Sequence, residues 1–587
     1  MPRQVSVKFE SDVPLMLRDG TITYADIYRP DNGHKYPALL MRTPYNKSTP
    51  VSRSSYIDAV RATMNGYAVV IQDVRGRFSS DGEFYPFANE IDDGYDSIEW
   101  VAGQPWCSGK VGMFGNSYMG ATQWLAAKAR PESLCAIAPG ITASDYHEGW
   151  VWHGGAFALG FNLSWTLGSL VTANWDQLSN RLYLSPKQLG ILIDQRDDLT
   201  TSFDYLPMRE LPDFQGGLAP YYYDWMDHPE YDDFWARISI EESHSEISVP
   251  ALNIGGWFDT FLGGTIQNFR GMRENASEDD ARLGQRLIIG PWIHNSMPTG
   301  ISGEFNFGTR AAADAMDLQG IQLHFFDNWL KEEDRDSDPE KPVKIFVMGE
   351  NEWRDEEEWP LARAQETKYF LHSNGRANTL DGDGLLSGDP PDEEPADVYV
   401  YNPNDPVPTL GGPLCGDLGF LPPGVYDQRV VESRSDVLVY TTLPLDRPVE
   451  VTGPVVVTLY SSSTARDTDF TAKLVDVSPD GYARNVAEGI VRARYRTPRA
   501  SASLIDPGRV YEYKIDLWST SNLFRVGHKI RLEISSSNYP RFDRNTNTGK
   551  TIGTDDGFFP ALQSVHHTAS YASYVKLPVV PRDDIWP

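Results

Sequence analysis

Short apolar runs of strand length, at residues 38–41 and 68–71, alternate early in the chain with helically patterned stretches at 55–64 and 92–102. This rhythm predicts parallel strands buried between helices. It returns at 251–256, 286–290 and 344–349, each an apolar run ending in glycine, where a buried strand gives way to a loop. One α/β unit is therefore expected in two pieces, 1–145 and 246–353. Between them, residues 146–245 are rich in Trp and Tyr, with helical patterning at 155–170 and 186–197 and little strand character, which predicts an inserted helical cap. Beyond Trp353 the texture changes. The acidic, Gly- and Pro-rich stretch 381–397 suggests an exposed loop or a domain border. Strand-like runs follow at 398–401, 437–442, 455–460, 510–517 and 530–534 without intervening helices, so residues 354–587 are expected to form a β-sandwich of jelly-roll type. No internal repeat of fixed period occurs.

Charge narrows the functions. Lys and Arg total 52 against 82 Asp and Glu, a net charge of −30 over 587 residues. Such a surface repels phosphate backbones and anionic bilayers, so neither nucleic acid nor membrane is an expected partner. Only Cys107, Cys135 and Cys415 are present, far apart and without metal-binding spacing, so no disulfide framework or zinc site is expected. The amino-terminal residues alternate like a strand and lack the apolar core of a signal peptide, and no run of about 18 apolar residues occurs, which predicts a cytoplasmic protein. No motif encodes self-association; a homodimer is compatible with the chain.

The chemistry centres on Gly-Asn-Ser-Tyr-Met-Gly at 115–120, entered from the apolar run 111–114 and followed by a helical stretch. Strand, sharp turn and helix would raise Ser117 on strained backbone and aim the helix N-terminus at an oxyanion. The spacing departs from Gly-x-Ser-x-Gly, because Met119 holds the second glycine position and Gly120 follows it. Alone, the pattern also fits a structural turn. A nucleophilic serine needs a base and a carboxylate to orient that base. Asp259 follows the run 251–254 through Gly-Gly-Trp-Phe, and His294 follows 287–289 through Gly-Pro-Trp-Ile. Both fall just past predicted strands, in the order Ser, Asp, His that α/β-hydrolases use. The other histidines fall in the cap, in the β-rich part, before Ser117 or, for His324, inside an apparent helix.

In Leu17-Arg-Asp-Gly, Arg42-Thr-Pro-Tyr45, the run 66–76, Gly255-Gly-Trp-Phe-Asp259, Gly290-Pro-Trp-Ile-His294, the run 469–477 and Ser535-Ser-Ser-Asn, the chain resembles the cocaine-esterase-like serine hydrolases, relatives of X-prolyl dipeptidyl peptidases and α-amino-acid ester hydrolases. The likeness runs nearly end to end, and that family's elbow also carries its second glycine one place late. The resemblance implies an α/β-hydrolase fold with an inserted helical cap and a C-terminal jelly roll. It places the triad on Ser117, Asp259 and His294, and the oxyanion hole on the Tyr118 backbone N–H and the Tyr45 phenol. It maps an acyl pocket onto Trp150, Trp165 and Phe261, although an aromatic stripe in a cap is also ordinary packing. It implies a metal-free, cofactor-free serine carboxylic-ester hydrolase working through an acyl-enzyme on a small ester with an apolar or aromatic acyl group. Asp259 is followed by Thr-Phe-Leu-Gly-Gly, without the acidic residues that an α-amino substrate would require. The alternatives are an amidase, acylase or X-prolyl dipeptidyl peptidase with the same triad, and a non-catalytic carbohydrate- or partner-binding protein.

Overall fold

The computed structural model describes residues 6–294, 297–331, 341–415, 421–499 and 501–582. A ten-stranded sheet runs in the order Val7–Met16, Ile22–Pro30, Ala68–Asp73, Tyr36–Thr43, Cys107–Asn116, Leu134–Gly140, Leu252–Phe258, Arg286–Ile293, Val343–Val347 and Glu352–Glu356. From Ala68–Asp73 to Val343–Val347 the pairs are parallel, and antiparallel pairs finish both edges. Alternation along the strands feeds two cores. Leu40, Val70 and Met113 pack under helices Glu90–Ala102 and Tyr118–Lys128, while Leu39, Met41, Val69, Ile71 and Phe114 pack on the side of Ala59–Met64 and Leu318–Phe326. Burial on both faces is why these strands read as unbroken apolar runs. All six runs expected to be α/β strands, 111–114 included, overlap strands of this sheet.

Two expected helices change form. The stretch 55–64 is helical only over Ala59–Met64, which the Asp58 carboxylate caps by accepting the N–H of Arg61 at 2.7 Å; residues 55–58 form a turn after a separate short helix, Pro50–Ser54. The stretch 155–170 opens as a two-strand hairpin, Trp152–His153 with Ala156–Phe157. It turns at Gly154, whose φ of 54° is left-handed and whose Cβ position would lie 2.1 Å from the Ile490 carbonyl oxygen. A helix Leu159–Ser164 and a π-helix Trp165–Val171 follow. Helix Pro186–Asp197 forms as expected, with proline in its first turn and a Ser185–Gln188 capping box.

The β-rich part builds a twelve-stranded sheet folded around Val457, Leu459, Phe470, Leu474, Tyr513 and Leu532. The acidic stretch 381–397 lies within this unit: strand Gln365–His372 already belongs to the sheet, and Leu385–Ser387 adds another strand. The cap hairpin is fastened to the sandwich. Arg492 is buried between Asp469 and Asp543 at 2.8 and 2.9 Å, Asp543 accepts the Phe157 N–H at 2.8 Å, and the Arg492 N–H donates to the Gly154 carbonyl at 2.8 Å. Among the described residues no helix is long and apolar enough to cross a membrane. Removing one member of a buried ion cluster strands the other charges. Asp543→Ala should therefore lower unfolding stability by about 3 kcal/mol in a denaturant titration, and an unchanged midpoint would dissociate this cluster from cap attachment.

Candidate active site

Ser117 stands between strand Cys107–Asn116 and helix Tyr118–Lys128 at φ 59°, ψ −122°. A non-glycine residue seldom occupies this conformation, and here neighbouring contacts impose it. The Ser117 N–H donates to the Gly140 carbonyl at 2.8 Å, while the Ser117 carbonyl accepts from Gly120 and Ala121 at 2.8 and 3.0 Å. The displaced glycine has a packing cause. A Cβ on Gly120 would meet Thr142 Cβ at 2.8 Å and the Gly140 carbonyl oxygen at 3.0 Å, so it is position 120 that must lack a side chain against the neighbouring strand.

Asp259 and His294 leave adjacent parallel strands at the same level. Phe258 and Ile293 are paired in register, and each of these residues comes next. His294 Nδ1 lies 2.6 Å from Asp259 Oδ1, and its Nε2 lies 3.0 Å from Ser117 Oγ. Asp259 is fully buried, and Phe261 meets the imidazole edge-on with centroids 5.2 Å apart. Burial opposes charge on the imidazole, but Cys415 and Asp259 outweigh it and hold the proton affinity of His294 above the ordinary 6.5.

A cavity of about 880 Å³ opens over Ser117 and His294, walled by Tyr45, Phe161, Trp165 and Cys415. The Tyr45 hydroxyl accepts the Trp165 indole N–H at 2.9 Å, which leaves its own hydrogen available to another acceptor. Burial pushes this phenol above its ordinary pKa of 10.0, so it remains a donor at neutral pH. The Tyr118 ring takes no part in the cavity wall. Its hydroxyl donates to Glu90 Oε1 at 2.9 Å and accepts from the Phe87 N–H at 2.9 Å, beside a 2.7 Å Arg42–Glu90 ion pair. Its backbone N–H, at the first helical position, has no acceptor inside the helix.

The three aromatics mapped to an acyl pocket separate. Trp165 lines the cavity, whereas Trp150 and Phe261 are fully buried and stacked on each other, with centroids 4.2 Å apart. Phe161, from helix Leu159–Ser164, reaches the wall instead of Trp150. Cys415 comes from the β-rich part, and no local pattern marks it. Of the rim carboxylates, Asp317 is engaged by both terminal nitrogens of Arg61 at 2.6 Å, and Asp314 is exposed.

Residues 19–296 match the X-Pro dipeptidyl-peptidase (S15) family, and residues 336–576 match the X-Pro dipeptidyl-peptidase C-terminal non-catalytic domain. The chain is 40% identical over 583 residues to cocaine esterase from Rhodococcus sp. (strain MB1 Bresler), covering 97% of this chain and 98% of that protein. In fold it is similar to an aminopeptidase from a marine sediment archaeon (Thaumarchaeota), with a TM-score of 0.79, 24% identity and 99% of both chains covered. It is likewise similar to an α-amino acid ester hydrolase, with a TM-score of 0.78, 24% identity, and 99% of this chain and 97% of that one covered. With both parts of the architecture matched and an alignment that spans nearly the whole sequence, the chain belongs to the cocaine-esterase-like serine hydrolases of the X-Pro dipeptidyl-peptidase family.

Proposed function

We propose that this protein hydrolyses small carboxylic esters with an apolar or aromatic acyl group, through an acyl-enzyme on Ser117. The chief support is the relay from Asp259 through the His294 ring to Ser117 Oγ, at 2.6 and 3.0 Å, beneath a cavity walled by Phe161 and Trp165. Ser117 Oγ attacks the carbonyl carbon while His294 Nε2 takes its proton, and Asp259 keeps Nδ1 protonated and the ring oriented. The tetrahedral oxyanion receives the Tyr118 N–H and the Tyr45 O–H. Collapse expels the alcohol, which takes the proton from His294. Water, activated by the same nitrogen, then releases the acid.

Among the described residues the wall beside Ser117 is largely apolar and its carboxylates, Asp314 and Asp317, lie at the rim, which favours a neutral acyl group over an α-amino one. The family match itself keeps peptidase activity as the second reading. Turnover of p-nitrophenyl acyl esters alongside glycyl-prolyl-p-nitroanilide decides between them: ester hydrolysis is expected, and exclusive turnover of the anilide would overturn the first reading. Ser117→Ala should abolish fluorophosphonate labelling and lower kcat by up to roughly a millionfold; retained activity would remove Ser117 from the mechanism. His294 must be neutral to accept the serine proton, so activity rises as pH climbs through its pKa. The acid limb of kcat/KM is expected above pH 6.5. Cys415→Ala removes one of the groups that hold the proton on, so it should move that limb to lower pH. An unmoved limb would exclude the thiol from tuning the base.

A further inference from the structure

Arg77 is buried, with 1% of its surface exposed, and among the described residues no carboxylate pairs with it. Isolated buried charge is costly, and proteins ordinarily pair it. Here the guanidinium spreads its donors over backbone carbonyls: Nε to Pro44 at 2.7 Å, Nη1 to Leu170 at 2.5 Å and Nη2 to Ser169 at 2.7 Å. It also lies over the rings of Phe78 and Phe84, 5.1 Å from each centroid.

Those carbonyls have one thing in common. Pro44 immediately precedes Tyr45, while Ser169 and Leu170 lie in the last turn of the π-helix that begins at Trp165, the residue whose N–H bonds the Tyr45 hydroxyl. One planar side chain thus joins the two backbone segments that bring phenol and indole together. Asn174 fixes the loop that carries Arg77, accepting the Phe78 N–H at 2.9 Å and donating to the Gly76 carbonyl at 3.0 Å. The charge also acts through space, since Arg77 favours negative charge at Tyr45. Burial lowers the guanidinium to about 10, which leaves it cationic at neutral pH.

We infer that Arg77 is a positioning residue for the oxyanion site: it clamps the Tyr45 loop against the π-helix, holding the phenol on Trp165 with its hydrogen turned to the substrate and a fixed positive charge behind it. This rests on the proposed role of Tyr45 as an oxyanion donor. Transition-state donors act through their preorganisation, so loosening the clamp should cost rate rather than affinity.

The test is a double-mutant cycle on a p-nitrophenyl ester. Arg77→Met keeps the apolar stem between the two rings and removes charge and fork, whereas Arg77→Lys keeps the charge. Arg77→Met should lower kcat at least tenfold with KM within twofold, and Arg77→Lys should fall between it and the parent. In a Tyr45→Phe background neither should lower kcat further. Equal losses in both backgrounds, or a loss confined to KM, would overturn the inference while sparing Tyr45. Unchanged kcat in Tyr45→Phe alone would overturn the reading of Tyr45 and the inference with it. If Arg77→Met does not fold, judged by its thermal midpoint, the Lys variant alone completes the cycle.

Discussion

The close approach of helix Tyr118–Lys128 to strand Leu134–Gly140 is the constraint on which the site depends. Ser117 cannot relax from its left-handed φ, because its N–H is held by Gly140 and its carbonyl by the first turn of the helix. Any side chain at position 120 would force helix and strand apart. The strain at Ser117 is thus sustained by packing elsewhere, as strained functional residues require. Register extends that constraint across the sheet. Parallel pairing places Asp259 and His294 at one level on adjacent strands, so the relay needs no long loops to assemble it.

What could be read in the sequence follows from this arrangement. Buried parallel strands leave a strong local trace, and residues placed just beyond them inherit a known position, which is why Ser117, Asp259 and His294 could be brought together from strand ends alone. Where side-chain direction depends on contacts distant in sequence, the trace fades. The helical pattern at 155–170 gave no sign that Gly154 would turn the chain against Ile490, nor that Phe161 and Trp165 would line the cavity while Trp150 stacked on Phe261. Asp58 was visible as a polar residue, but its capping bond to Arg61 outweighed the helical periodicity around it. Cys415 reaches His294 from a different unit of the fold, and no short-range pattern could reveal that.

Buried charges divide between two tasks. Arg492, with Asp469 and Asp543, joins the cap hairpin to the sandwich, and the Arg42–Glu90 pair holds the Tyr118 ring under the elbow. Both are satisfied by opposite charge, as structural ions in a low dielectric must be. Arg77 departs from this rule. It is satisfied by carbonyl dipoles and the faces of Phe78 and Phe84, so its charge is solvated without being neutralised, and its field remains available to whatever negative charge develops nearby.

The site therefore separates chemistry from selectivity by origin in the fold. Ser117, His294 and Asp259, the proposed nucleophile, base and orienting carboxylate, all stand at strand ends of one sheet, where backbone register sets their geometry. The cavity walls come from elsewhere: Phe161 and Trp165 from the cap, Cys415 from the β-rich part. Substitutions at Phe161 can reshape the cavity without touching the relay, because none of the hydrogen bonds linking Asp259, His294 and Ser117 passes through it. Two wall residues are exceptions: Cys415 bears on the proton affinity of His294, and the Trp165 ring forms wall while its N–H holds the Tyr45 phenol. On the proposed roles, a change at Trp165 would couple the shape of the cavity wall to the position of the Tyr45 phenol, the proposed oxyanion donor.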